Sequence, residues 1–297
     1  MADDITTTDM PLKQPDTSSS IAIKWLHSKL VEIEDHTCMD ALTIFGPITE
    51  TVDHRVRLAI ESLPNHRNGL LVIIDTPGGI VEVAERIVTT IRHYYKEVKF
   101  LIPDRAMSAG TVLVMSGDAI LMDHFSCLGP VDPQLYIEGK PIPTSVLSYL
   151  EQYERFVQKS MEGTLTSADL VLLQKLDAAD LRQYELAAEL SVRLIRDWLV
   201  RYKFKDWSKH SSTGKTVSKE EKTNRAEEVA RALNDQERWG THGRGINREV
   251  LVKLKLKIDN LESDTELSNL AKEYFWFFRD LAFKEESQSL VHNRLFI

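Results

Sequence analysis

The chain has 297 residues, 42% of them hydrophobic and 28% charged, with a formal net charge of −8. That length allows one large core with appendages or two small domains, and the composition is that of an ordinary globular protein. No apolar run approaches the roughly 18 to 20 residues that cross a bilayer. The acidic balance argues against nucleic acid as the main partner, and two cysteines in no metal or redox spacing point to a reducing cytoplasm.

Residues 1–20 are acidic and rich in Thr and Ser. They read as a disordered leader without the basic-then-apolar pattern of a secretory signal. "IAIKWLHSKLVEIE" (21–34) reads equally as a helix or an early strand. "ALTIFGPIT" (41–49) is a strand ending in Gly-Pro, and 52–63 is an amphipathic helix through Val52, Val56, Leu58, Ile60 and Leu63. Leu71–Ile74 is a short buried-type strand that stops at Thr76-Pro77-Gly78-Gly79 and turns at once into a helical pattern from 80 to about 95. Paired glycines at such a junction permit torsions and close approaches that a side chain forbids, and their amides suit an anion near a helix start.

A third strand spans 98–103. A helix of small and apolar residues follows at 107–117, then a fourth strand at 119–122. Strands alternating with helical patterns predict parallel β–α–β units, and near-continuous apolar strands fit a sheet covered on both faces. Residues 145–202 read as helical throughout. Between 201 and 225 eight Lys/Arg stand against three Asp/Glu, with Tyr202, Phe204 and Trp207 interleaved. This reads as a solvated linker; its Gly-Lys-Thr lacks the spacing of a phosphate-binding loop. A helix with a capping box starts at Ser218. The Gly-rich loop "WGTHGRGI" follows, then a helix start at Asn247 and an amphipathic helix near 264–284. The last carries five consecutive aromatics, 274–278, which cannot all face one core.

Ser108 opens the small-residue helix in "DRAMSAGTVLVMSG", 30 residues after Gly78, about one β–α–β unit. A serine there is either an N-cap or, if exposed beside oxyanion donors and a base, a nucleophile. Adjacent parallel strands would bring the Gly78-Gly79 amides alongside it.

The Thr-Pro-Gly-Gly turn, the Ser-Ala-Gly-Thr helix start, "LGPVDPQ" and the later Trp239/His242/Gly243/Ile246 pattern resemble the Clp-protease/crotonase superfamily. More narrowly they resemble the serine dehydrogenase proteinase family, over roughly residues 40–260. The resemblance implies an α/β fold of the spiral ClpP/crotonase type with a helical C-terminal elaboration. It also implies a cofactor-independent serine peptidase acting on peptides or proteins, and homo-oligomerisation. The expected organisation is a leader (1–20), a hydrolase domain (21–262, largely helical over 145–238 with a basic loop at 203–218), and a C-terminal helix and tail (263–297). Ser108 matches the nucleophile, with Gly78, Gly79 and Ala109 at the oxyanion and substrate-binding turn. The place of the Clp-type histidine falls near Pro130, so a lysine base is expected instead. It must be buried to lose its proton. Lys175 in "LVLLQKLDAADL" is the first candidate. Lys140, Lys159 and His124 are weaker ones, Asp132 either orients a base or caps a turn, and His242 is read as structural. No metal or other cofactor is expected. A catalytically silent scaffold and a crotonase-like acyl-CoA enzyme remain alternatives, the latter disfavoured because no carboxylate base is evident near the turn.

Overall fold

The computed structural model describes residues 18–135, 144–210, 213–284 and 289–297. The apolar runs of the first half form a sheet whose alternation separates two cores. Along β2 (Gly69–Asp75), Leu70, Val72 and Ile74 face one side, while Leu71 and Ile73 face the other. Its parallel neighbours are β1 (Asp40–Phe45) and β3 (Glu97–Ile102), and β3 in turn pairs in parallel with β5 (Ala119–Met122). A two-residue β10 (Asp259–Asn260) and the antiparallel β11 (Leu290–His292) close the edges, giving the order β10-β5-β3-β2-β1-β11.

The crossover helices α2 (Val52–Glu61), α3 (Val81–Tyr94) and α4 (Ala109–Val114) all pack into one core, so successive units wind in one direction on one face. The opposite face is covered by α1 (Ser18–Thr37), which settles the ambiguous segment as helix, and by α11 (Thr265–Lys284). The buried stripe of α2 runs through Val52, Val56, Ala59 and Ile60. Leu58, expected inside, falls off that stripe and is 41% exposed.

The helical half contributes α5 (Val146–Met161), α6 (Ser167–Leu173), α7 (Ala178–Trp198) and α8 (Lys219–Asn234), the last opened by the expected Ser218/Glu221 capping box. It ends with α9 (Gln236–Trp239) and α10 (Arg248–Lys253), whose N-cap Asn247 accepts from the Val250 N–H. A small second sheet joins β4 (Arg105–Ala106), β6 (Cys127–Leu128) and β9 (Ile246–Asn247). It carries the late Gly-rich loop back to the end of β3. A short hairpin pairs β7 (Gln134–Leu135) with β8 (Thr144–Ser145).

The aromatic run of α11 divides as helical geometry demands: Tyr274, Phe275 and Phe278 are fully buried, while Trp276 and Phe277 stay partly exposed. Tyr274 sits in a buried polar chain, with its hydroxyl 2.6 Å from Thr43 Oγ1 and 2.7 Å from His292 Nδ1. Burial pushes the His292 imidazole down to about 3, with His27 stacked beside it adding to the same effect. The unfolded chain takes up a proton near the ordinary value of 6.5, and the folded chain resists until about 3. Stability is therefore full above pH 6.5 and lost as pH falls through that window, at up to about 1.4 kcal/mol per unit from this residue. Urea unfolding between pH 4 and 7 should show this slope, and His292→Gln should flatten it.

Candidate active site

The sequence places residues with little or no side chain where backbones must meet. After β2 the chain is held on both sides. On one side Thr76 N–H donates to Arg105 O (2.9 Å) and Met107 N–H to Thr76 O (3.0 Å). On the other, Ile48 N–H donates to Gly78 O (2.8 Å) and Ile80 N–H to Ile48 O (2.9 Å). The turn is thus fixed between residue 48 and the segment that leads to Ser108. Gly78 and Gly79 have φ of +103° and +147°. A Cβ on Gly78 would lie 2.8 Å from both Met107 O and Ser108 Cβ, and one on Gly79 only 2.2 Å from Ile48 O.

Ser108 itself has φ +50° and ψ −118°, a conformation rare for any residue with a side chain. Its hydroxyl does not cap α4, although its carbonyl accepts from Val112 N–H. The N-cap reading therefore fails, and the side chain stands half-buried in a cleft of about 810 Å³. The next residues anchor that geometry. Gly110 packs where a Cβ would meet Thr76 Cγ2 at 2.3 Å. The buried Thr111 hydroxyl contacts Ala106 O and Gly129 O and accepts from Gly129 N–H, tying α4 to the "LGPVDPQ" segment.

The amides around Ser108 are not equivalent. Gly78 N–H donates to Thr76 Oγ1 (3.0 Å), so the expectation that Gly78 supplies an oxyanion donor is corrected; its part is to leave room. Among the described residues the Gly79 and Ala109 N–H groups have no partner. Gly79 lines the cleft with Ser108, and Ala109 is the residue that follows the serine.

Across the cleft stand Asp132 and His242. Asp132, 1% exposed, accepts from His242 Nδ1 at 2.8 Å and from Gln134 Nε2 at 2.6 Å. A donated Nδ1–H leaves Nε2 as the ring's acceptor, and His242 lines the same cleft as Ser108, Gly79 and Asp132. The small second sheet explains this meeting, since β9 follows the loop of His242 and β6 precedes Asp132. The wall also includes Ser145 and Ser191, whose buried hydroxyls have no partner among the described residues. Glu82, in the first turn of α3, lies at the rim, so the expectation of no carboxylate near the turn is corrected as well.

The remaining candidates lie elsewhere. Lys175 is exposed in the turn after α6 and does not line the cleft. The burial a lysine base requires is missing there. Lys159 pairs with Asp169 at 2.8 Å, and His124 pairs with Glu262 at 2.7 Å with its side chain 75% exposed. Lys140 lies outside the described residues. The carboxylate partner of His242 lies 110 residues away in sequence, so nothing local distinguishes it from a structural histidine. Only the Gly-rich loop around it signalled a special backbone.

Behind the turn, Asp75 at the end of β2 is pushed up to about 6 by burial and by the neighbouring Asp104, which itself pairs with Arg279 at 2.7 Å. Among the described residues no helix is long and apolar enough to cross a membrane.

A serine with unusual torsions thus shares one cleft with a carboxylate-bound histidine. Residues 31–220 match the ClpP-like SDH-type serine proteinases, and the chain belongs to that family. His242 falls beyond the matched segment. Two uncharacterized proteins of Methanocaldococcus jannaschii are similar to it, one 33% identical over 129 residues (43% of each chain) and one 32% identical over 140 residues (44% of each). The match thus spans less than half the length of either relative. Among solved structures, the membrane-bound stomatin-specific protease 1510-N aligns over 74% of this chain and 77% of its own, at 12% identity and a TM-score of 0.42. ClpP1 of Listeria monocytogenes aligns over 79% and 95%, at 13% identity and a TM-score of 0.40.

Alanine at Gly78 or Gly79 should separately cost about 1–3 kcal/mol of stability, from positive φ and the clash with backbone. Denaturant unfolding measures that cost, and labelling of Ser108 by a fluorophosphonate should fall in both variants because the turn must shift.

Proposed function

We propose that this chain is a peptidase in which Ser108 is the nucleophile, His242 the general base and Asp132 the group that orients it. The observation that carries the reading is the Asp132–His242 hydrogen bond, which opens onto the cleft holding an uncapped, strained Ser108. Ser108 Oγ attacks the scissile carbonyl as its proton passes to His242 Nε2. The Gly79 and Ala109 N–H groups receive the developing oxyanion. The C–N bond then breaks, the histidine returns the proton to the leaving amine, and water hydrolyses the acyl-enzyme by the same route. The base assigned here replaces Lys175. The cleft, walled in part by Ala187, Leu190 and the unpaired Ser191 hydroxyl, offers a peptide both apolar and hydrogen-bonding contacts.

Ser108→Ala should abolish turnover and fluorophosphonate labelling with little change in melting temperature, because the hydroxyl caps nothing. Asp132→Asn should lower kcat by about 10⁴-fold through the wrong histidine tautomer. Lys175→Ala should leave kcat unchanged. Full activity in His242→Ala would overturn the assignment of the base, and activity in Ser108→Ala would overturn the whole reading.

Self-assembly belongs to the same proposal. Trp276 and Phe277 keep 44% and 40% of their surface exposed on α11, more apolar area than a single surface residue leaves. Light scattering should give a mass above the 33.9 kDa of one chain, and a monomer at micromolar concentration would remove this part.

A further inference from the structure

A second cleft, of about 770 Å³, shares no lining residue with the Ser108 cleft. Five cations line it: Lys203, Lys209, Arg225, Lys255 and Lys257. In a chain of net charge −8 such convergence is a local reversal of the field. Two carboxylates share the lining, Asp118 and Asp206. Asp118 is already matched by Arg92 at 2.8 Å and by Lys205, neither of which belongs to the five. Arg225 pairs with Glu228 and Lys257 stands 3.9 Å from Asp259, whereas Lys203, Lys209 and Lys255 form no ion pair among the described residues.

Lys203 is the least ordinary of these. The chain leaves α7 through a π-helical turn, Leu199–Lys203, closed by a Phe204 N–H to Leu199 O bond of 2.7 Å. Such turns recur at functional sites because they reorient the side chains that follow. Here Lys203 follows the turn and lines the cleft, and desolvation pushes its ammonium down to about 8. Asp259 and Asp118 oppose that shift only in part, so a half-buried ammonium is left for which a further anion would be favourable. Lys255 adds a second irregularity, with φ +63° at the turn after α10.

The cleft also has an aromatic wall. Trp207 is half-buried and held by edge-on ring contacts with Phe204 (5.6 Å between centroids) and His210 (5.4 Å). Separate ammonium groups around one cavity match several phosphate charges, and an indole beside them matches a planar ring. The volume lies in the range of small-molecule sites and is concave, which favours one compact ligand over a polymer strand. We propose that this cleft binds a nucleoside di- or triphosphate, its phosphates on Lys203, Lys255 and their neighbours and its base against Trp207. The basic, aromatic stretch at 201–225 is on this reading a ligand wall and not a solvated linker.

The test is titration of the full chain with ADP, AMP, pyrophosphate and a Glu-rich hexapeptide, by calorimetry and tryptophan fluorescence. ADP should saturate one site per chain in the micromolar range and quench fluorescence, and binding should weaken as salt rises from roughly 50 to 300 mM. AMP and pyrophosphate should bind less tightly, pyrophosphate without quenching. Lys203→Met, which keeps the aliphatic stem, and Lys255→Glu should each weaken ADP by at least about tenfold, the scale of one lost charge contact. Trp207→Phe should remove the quenching. Melting curves establish that each variant is folded. The proposal is overturned by failure of ADP to saturate below about 1 mM, by ADP affinity that survives both lysine variants, or by pyrophosphate or the acidic peptide binding as tightly as ADP.

Discussion

The active-site half of the molecule depends on one close backbone contact, the passage of Gly78-Gly79 between Ile48 and the Met107-Ser108 segment. Three stretches that are remote in sequence meet there without side chains between them, and hydrogen bonds from Ile48, Thr76 and Met107 fix the spacing. The sheet makes this possible. Parallel β1, β2 and β3 end side by side, so the loops that follow them emerge together. Because both sides of the turn are strapped, the unusual torsions of Ser108 and the two glycines can persist; unsupported, the chain would relax them.

That constraint also explains which residue types stand next to the serine. Gly110 lies against Thr76, where anything larger would push α4 away from the turn, and Thr111 spends its hydroxyl on two neighbouring carbonyls and an amide. The Thr76 hydroxyl does similar duty for the Gly78 amide. One glycine is therefore there for its lack of volume, while its neighbour also keeps an amide open. Adjacent glycines that look alike in sequence do different work.

Much of this was legible in the residues themselves. The strand-to-Gly-Gly junction, the small-residue helix behind Ser108 and the β–α–β spacing between them depend on local pattern, and each stands where the pattern put it. Two things were not legible. Which amide stays free depends on the rotamer of Thr76, and that is a tertiary outcome. The histidine depends on the second sheet, whose strands are two residues long and carry no periodicity to read. Lys175 illustrates the complementary error. Its apolar neighbours suggested burial, yet Leu170, Val171 and Leu172 are themselves 47–58% exposed, because α6 is too short and peripheral to bring them into the core.

The helical half thus has a task beyond covering the sheet. Its chain leaves the Asp132 segment, builds α5 to α8, and returns through α9 to set His242 on the carboxylate it left behind. Val131 N–H donates to Leu233 O (3.0 Å) and Val146 N–H to Pro133 O (2.9 Å), so the Asp132 segment is gripped by both ends of that excursion. The exit from α7 that places Lys203 belongs to the same excursion, and α7 and α8 pack extensively on each other. A ligand that neutralises Lys203 would bear on the π-helical end of α7, whose Ala187, Leu190 and Ser191 wall the Ser108 cleft. The same excursion thus lines both clefts, one through Ala187, Leu190 and Ser191 of α7 and the other through Lys203 and Phe204 at its π-helical exit.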